Sequence, residues 1–136
     1  MKGFHANIEQ LTLENNHFRK VLYTLKGMQL VLMSLQPGED IGFEIHDEND
    51  QFFRFESGHG KVVVDEMTYE VEDGSTIIVP RGARHNVINT SDSEALKLYT
   101  IYTPAHHKDA IIHETKEIAE TAEKAGTDEF DGTTSE

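Results

Sequence analysis

The sequence predicts a single all-β domain, built as a closed barrel or a double-sheet jelly roll and followed by a short C-terminal helix. Residues 18–103 read as eight short runs rich in Val, Ile, Leu, Phe and Tyr, each bounded by turn residues and none with a helical period. A chain of 136 residues can bury one apolar core but not two. After Pro104 the sequence becomes acidic and amphipathic, which predicts a change of secondary structure.

The eight predicted strands follow one another at the spacing that is typical of barrels and jelly rolls. They cover residues 18–24, 28–35, 51–57, 61–65, 68–73, 75–80, 84–90 and 95–103. The second strand is apolar on both faces, so we expect each face to be covered by a sheet, a chain or a subunit, and we predict a homodimer. The joint Glu66-Met67 has no Gly or Asn, so we expect a loose turn there.

The C-terminal part of the chain is predicted to form a short surface helix around Glu114 to Lys124, supported by residue pairs spaced four apart. Residues 127–136 are polar and acidic, with Phe130 as the only large apolar group, so we expect them to be mobile unless that ring docks. The chain is therefore divided into a β-barrel domain, residues 1–112 including the N-terminal strands, and a C-terminal helix with an acidic tail, residues 113–136.

Charge and composition restrict the partners. Twelve basic and twenty-five acidic residues give a net charge of −13, which argues against nucleic acid and against an anionic membrane surface. The absence of cysteine excludes disulfides and thiolate ligands, so any metal must be bound by nitrogen and oxygen. No apolar run approaches the ~20 residues of a membrane helix, and the N-terminus lacks the apolar core of a signal peptide. We expect a soluble, cytoplasmic protein that binds a small molecule.

Two stretches carry residues that can bind a metal ion. In the first, Glu44 and His46 are two residues apart and therefore share one face of a strand, from which both could reach one ion. A hairpin through the following DEND would bring Gln51 back near His46. In the second stretch, a turn at residues 80–82 precedes His85 at the start of the next strand.

These stretches resemble the two motifs of the cupin superfamily. The second motif, GxxxxxPxGxxHxxxN, is matched at every fixed position, which are Gly74, Pro80, Gly82, His85 and Asn89. The first motif, GxxxxxHxHxxxxExxxxxxG, is matched at Gly38, His46 and Gly58, with Glu44 in place of its first histidine and Gln51 in place of its glutamate. The resemblance covers about residues 30–102, and the chain is similar to the small, stand-alone bacterial cupins labelled mannose-6-phosphate-isomerase-like.

The resemblance implies a double-stranded β-helix, or jelly-roll, barrel whose mouth binds one divalent metal ion. The implied ligands are Glu44, His46, Gln51 and His85. Two histidines and one carboxylate have the composition of a facial triad, and such donors accept Zn, Mn, Fe, Ni or Cu without distinguishing them. Gln51 is the weakest member, because an amide oxygen is a poor donor to a transition metal and can instead hydrogen-bond to a bound water.

The leading functional hypothesis is a metal-dependent isomerase or epimerase that acts on a sugar or on a keto or hydroxy acid, in which Glu44, if it is displaced from the metal, doubles as the catalytic base. Two alternatives stay open: an iron-dependent dioxygenase with the same donors, and a non-catalytic sensor or small-molecule-binding module. We expect His106, His107 and His113 to lie in a solvated loop and not in a second metal site. We expect Arg81 and Arg84 to pair with the surplus acids.

Overall fold

Ten strands form two antiparallel sheets around one apolar core in the computed structural model, which describes every residue from Met1 to Glu136. The strands are β1 (Arg19–Thr24), β2 (Gln29–Leu35), β3 (Glu44–Ile45), β4 (Asp50–Ser57), β5 (His59–Val64), β6 (Met67–Glu72), β7 (Thr76–Val79), β8 (Arg84–Asn89), β9 (Leu96–Thr103) and β10 (Ile112–His113). The helices are α1 (Ile8–Glu14) and α2 (Lys116–Ala125). The predicted fold class and all eight predicted strands are confirmed, whereas β3 and β10 are too short to show a period.

The strand order is β10-β1-β2-β9-β4-β7 in the larger sheet and β3-β8-β5-β6 in the smaller one. The core lies between the two sheets, as strand β9 shows. Its residues alternate strictly between buried and half-buried, and the inward-pointing ones are Leu96, Leu98, Thr100 and Tyr102. At one end of the barrel the inward positions become polar. There the register places Gln51 opposite Tyr102 and Glu44 opposite His85.

Strand β2 is buried on both faces. The barrel core covers one face, and helix α1 of the same chain covers part of the other. Val31 and Met33 belong to the core, whereas Leu32 is buried on the other face, where it lies beside Leu11 of α1. Helix α1 was not predicted, because seven residues are too few to show a helical period. Its first turn is capped by Asn7, whose side chain accepts a hydrogen bond from the backbone of Gln10.

The hairpin between β5 and β6 corrects the prediction of a loose turn. Val64 pairs with Met67, so the connection has only two residues. Asp65 adopts the positive φ of 49° that such a tight turn requires. Asp tolerates this conformation better than most residues, and its carboxylate also accepts a hydrogen bond from the backbone N–H of Arg84 at 2.9 Å.

The C-terminal segment packs against the barrel. Helix α2 begins after Thr115, whose hydroxyl accepts from the backbone of Ile118, and ends at Gly126 with a φ of 70°. The tail that was expected to be mobile contacts the barrel through Asp128, which is buried, while Phe130 stays half-exposed. The proposed domain boundary at residue 112 falls inside β10, which pairs with β1. Neither helix is long and apolar enough to span a bilayer.

The expectation that the C-terminal histidines lie in a solvated loop is wrong. His107 is only 2% exposed and His113 only 6%, and His106 is half-buried. The residues around Pro104 are polar, which is why a solvated loop was expected. In the structure this segment folds back over the barrel, and the C-terminal tail covers it. A bridge between His107 and Glu129 joins the two parts of the segment.

Candidate metal centre

Three of the four predicted ligands converge at the polar end of the barrel. Strand β3 pairs with β8, which places Glu44 directly opposite His85, and His46 follows two residues after Glu44. One ligand atom from each side chain lies within 4.8 Å of the other two. The ring centroids of His46 and His85 are 5.1 Å apart, and Glu44 Oε2 lies 2.9 Å from His46 Nε2. Three donors at these distances can share one cation.

The orientation of His85 is fixed by a local hydrogen bond. Its Nδ1 lies 3.0 Å from the carbonyl oxygen of Ala83, and because a carbonyl only accepts, Nδ1 must carry the proton. The lone pair is then on Nε2, which is buried and has no hydrogen-bond partner. Burial lowers the pKa of His85, which keeps the ring neutral. A neutral imidazole anchored through its other nitrogen is the form that binds a metal.

Glu44 is ionised despite its surroundings. Burial is the largest single influence and acts to raise the pKa of Glu44, but the contact with His46 and the charges of Arg19 and His85 together leave the pKa below its usual range. His46 Nε2 forms no aligned hydrogen bond, even though the carboxylate is close. The site therefore contains a carboxylate beside an imidazole nitrogen that lacks a partner.

Gln51 presents a free oxygen. Its Nε2 lies 3.0 Å from Thr100 Oγ1, and the hydroxyl of Thr100 donates its only proton to the carbonyl oxygen of Phe52 at 2.8 Å. The hydroxyl can therefore only accept from Gln51, which fixes the orientation of the amide. This leaves Gln51 Oε1 buried and without a hydrogen-bond partner. Its role as a fourth ligand stays a prediction.

The donor set fits a divalent metal ion. Three buried atoms of the predicted ligands have no hydrogen-bond partner: Nε2 of His46, Nε2 of His85 and Oε1 of Gln51. A buried polar atom without a partner costs about 1–3 kcal/mol, so each of the three destabilises the fold unless something binds it. Nε2 of His85 and Oε1 of Gln51 carry free lone pairs, and Nε2 of His46 carries one when the proton of that ring is on Nδ1. Borderline and hard cations accept such donors, and the carboxylate of Glu44 supplies negative charge.

The C-terminal segment contributes a second wall that the sequence did not reveal. The ring of His106 lies 4.3 Å from that of His46 and 5.0 Å from that of Tyr102, measured between centroids. A cavity of about 240 Å³ opens at this point, and its lining residues are Glu44, Ile45, His46, His106, Glu123 and Asp128. A larger apolar cavity of about 520 Å³ lies elsewhere, near Phe4 and Met28, and contains none of the predicted ligands.

Behind this wall lies a buried charged network. Arg19 reaches Glu123 at 3.3 Å and lies 4.0 Å from Asp128, and Asp128 lies 3.3 Å from His107 Nδ1. Burial, with help from the charge of Arg19, lowers the pKa of His107 to about 4. In the sequence, only the adjacent histidines at residues 106 and 107 could have suggested that this segment belongs to the site. Their spacing does not show that the chain folds back over the barrel mouth.

The two arginines near the second motif do not line the cavity. Arg81 pairs with Asp50 at 3.0 Å, as expected. Arg84 differs from the expectation, because its guanidinium lies over the ring of Phe43 at 3.7 Å and makes no ion pair. The cation nearest the site is therefore Arg19, which the surrounding acids already engage.

The comparisons with known proteins all agree on one family. The family described as the cupin domain matches residues 31–102. The uncharacterized protein YrkC of Bacillus subtilis is 48% identical over 128 residues, which are 90% of this chain and 68% of that protein. An uncharacterized protein of Acanthamoeba polyphaga mimivirus is 44% identical over 105 residues, 75% of this chain and 66% of that protein. The chain thus spans about two thirds of the length of these relatives.

Solved structures agree with the sequence match. The crystal structure of BH2720 from Bacillus halodurans has a TM-score of 0.87 and 45% sequence identity, and the match covers 89% of this chain and 96% of that one. An RmlC-like cupin from Shewanella frigidimarina has a TM-score of 0.59 at 20% identity, covering 64% of this chain and 75% of that one, and supports the fold alone.

Proposed function

Because the chain belongs to the cupin family, we propose that it binds one divalent metal ion at the mouth of its barrel and acts on a small polar molecule as an isomerase or epimerase. The proposed ligands are Glu44, His46, His85 and, as a fourth donor, Gln51. The observation that carries the proposal is the convergence of Glu44, His46 and His85 within 4.8 Å of one another, with a buried nitrogen on each imidazole that has no aligned hydrogen-bond partner.

The metal ion, Glu44 and His106 have separate roles in this proposal. A bound divalent cation would supply Lewis-acid chemistry, polarising an oxygen of the ligand. Glu44, ionised and on the cavity wall, would leave the metal when the ligand binds, accept a proton from a ligand carbon and return it to the neighbouring carbon or to the opposite face. The ring of His106 would close the mouth and restrict water.

Hydrogen exchange at carbon tests the proposal directly. Protein purified without a histidine tag would be analysed for metals and then incubated in D₂O with a panel of sugars, keto acids and hydroxy acids. An isomerase or epimerase incorporates solvent deuterium into its ligand, which NMR detects, and the variant Glu44→Gln should lose this exchange. Stoichiometric metal without exchange of any panel member would leave a metal-binding protein and refute the isomerase.

An iron-dependent dioxygenase is the second candidate. The observation that favours it is the combination of Glu44, His46 and His85, since two histidines and one carboxylate are the donor set of non-haem iron oxygenases. Oxygen uptake with ferrous iron and a panel of diketones and thiols would select this candidate. If a ligand raises the melting temperature but neither exchange nor uptake occurs, a binding or sensor module is the better description.

The homodimer is a separate proposal. It is supported by large apolar side chains on and beside the larger sheet that remain exposed in the single chain, among them Ile78 of β7 and Met28, which directly precedes β2. Light scattering coupled to size-exclusion chromatography would measure the mass of the species in solution, and a monomer at micromolar concentration would refute it.

A further inference from the structure

The lining of the metal-site cavity contains one imidazole that the proposed centre does not use, that of His106. Its ring lies 4.3 Å from the ring of His46, measured between centroids, and lines the same cavity as Glu44. The hydrogen bonds of His106 are made by its backbone alone: the N–H donates to Gln29 Oε1 at 3.2 Å, and the carbonyl oxygen accepts from the N–H of Phe130 at 3.1 Å. Two distant parts of the chain therefore hold this residue while both of its ring nitrogens stay free.

The free nitrogens of His106 are accessible. Nδ1 of the neighbouring His107 is sealed inside the protein without a partner, whereas neither nitrogen of His106 is sealed in this way, and the residue is only half-buried. A neutral imidazole has one N–H donor and one acceptor, and a protonated imidazole has two donors. The ring therefore offers at least one hydrogen-bond donor to a ligand in either state.

His106 stands back from the metal position. The ligand atoms of Glu44, His46 and His85 lie within 4.8 Å of one another, and no atom of His106 belongs to that group. The cavity of about 240 Å³ opens between the two walls at this point. The ring of Tyr102 stacks on that of His106 at 5.0 Å and 22°, which fixes its plane. This placement suits a group that contacts a ligand of the metal and not the ion itself.

No other side chain in the lining of the cavity supplies such a donor. The remaining lining residues, apart from His46, are acids that only accept hydrogen bonds when ionised and one apolar residue: Glu44, Glu123, Asp128 and Ile45. In the proposed centre His46 binds the metal through Nε2. The N–H of that ring is then on Nδ1, at the side turned away from the metal, and cannot reach a ligand held there.

We propose that the imidazole of His106 donates a hydrogen bond to the ligand oxygen on which negative charge develops when Glu44 removes a proton from the adjacent carbon. The electron pair of the broken C–H bond forms the C=C bond of an enediolate, the carbonyl oxygen takes the negative charge, and the proton stays on Glu44 until it is returned to carbon. Donors that face a developing oxyanion lower the barrier of such a step. The inference rests on the proposed function and restricts its ligand to molecules with a carbonyl group next to a C–H bond.

Binding of acetohydroxamate tests the donor without turnover. This small anion carries its charge on an oxygen beside a second oxygen, as an enediolate does, and calorimetric titration into the metal-loaded full chain measures its affinity. His106→Phe keeps a planar ring at the mouth but removes the N–H, and it should weaken binding about tenfold, because a hydrogen bond to a charged acceptor is lost. His106→Gln keeps an N–H donor and should retain most of the affinity. Metal content should be the same in all three proteins.

Deuterium exchange gives a second measurement, with the panel member that exchanges fastest in the wild type. His106→Phe should lower kcat about 100-fold and change KM little, because the charge that the N–H stabilises develops in the transition state. The matched control is His59→Phe, which replaces an exposed imidazole on β5 outside the cavity. This control should equal the wild type in both measurements.

The outcomes separate the two proposals. Equal affinity and equal exchange in His106→Phe and the wild type would refute the donor and leave the proposed function standing. Equal losses in His106→Phe and His106→Gln would assign the effect to the shape of the ring and also refute the donor, as would an equal loss in His59→Phe or failure of the metal-loaded wild type to bind acetohydroxamate. If the wild type takes up no metal or exchanges no panel member, the proposed function fails and this inference fails with it.

Discussion

The two walls of the metal site differ in how the chain positions their residues. On the barrel wall, His85 is oriented by Ala83, only two residues away, and Glu44 by the pairing of two neighbouring strands. On the C-terminal wall, His106 is held by Gln29, whose Oε1 accepts its backbone N–H at 3.2 Å across 77 residues of sequence. Local spacing therefore sets which donors can reach a metal, whereas distant contacts set what surrounds it.

The consequence is a division of roles. Gln29 is fully buried and also accepts from the backbone of His107 while donating to its carbonyl oxygen, so one amide fixes the whole loop after β9. Disturbing the C-terminal wall should change stability and ligand selection more than metal binding. Disturbing the barrel wall should have the reverse effect, and the predictions below test this contrast in order of the expected effect.

The largest effect is expected from His85→Ala. Removing this ligand should reduce the metal content of the purified protein to near zero, a loss of affinity of at least 100-fold, because the two remaining side chains of the triad cannot complete the coordination. The fold should persist, since an alanine at this position leaves the strand pairing of β8 intact. Elemental analysis and far-UV circular dichroism provide the two measurements.

A matched control for that variant is His59→Ala, which removes an exposed imidazole from the neighbouring strand β5. It should leave the metal content unchanged. Stoichiometric metal in His85→Ala, or an equal loss in both variants, would contradict the metal centre and remove the distinction between the walls.

The next effect concerns the C-terminal wall. Arg19→Met should lower the free energy of unfolding by about 3–5 kcal/mol, because Asp128 is left as a buried charge without a cation. Metal stoichiometry should stay the same. Urea denaturation measures the change, and Arg81→Met, which breaks an exposed ion pair with Asp50, is the control and should alter stability little. A loss of metal in Arg19→Met would show that the walls are not independent.

The same contrast explains what the sequence could predict. The eight strands and the donors at positions 44, 46 and 85 follow from alternation within strands and from the spacing of residues between turns, which are local properties. The environment of His107 depends on a tail that returns from 22 residues further along the chain, at Glu129, and no period in the sequence records that return. The short elements α1 and β10 were missed because a period needs more residues than they contain, whereas the extended segment at Glu44 was predicted.

The pH dependence of stability tests the buried histidine of the C-terminal wall. The pKa of His107 is about 4 in the folded chain against an ordinary value of 6.5, so between these values the unfolded chain binds a proton that the folded chain does not. Stability should be unaffected by His107 above about pH 6.5 and should fall as the pH is lowered from 6.5 towards 4, by about 3 kcal/mol from this residue.

Urea denaturation of the metal-free protein at several values between pH 7.5 and pH 4.5 measures that slope without competition from metal binding. In His107→Gln the titrating group is absent, so the curve should be flatter in this interval. An identical slope in the variant and the wild type would contradict the assignment of the pH dependence to His107.

The smallest effect is expected at Gln51, the weakest donor of the proposed set. Gln51→Glu should tighten metal binding about tenfold, because it adds a negative charge at a buried position whose oxygen already has no partner. Gln51→Leu, which removes that oxygen at similar size, should weaken binding instead. Competition against a chelator of known affinity measures both. Glu123→Gln, on the opposite wall, should leave metal affinity unchanged, and if both Gln51 variants also leave it unchanged, Gln51 does not bind the metal and the centre has only three protein ligands.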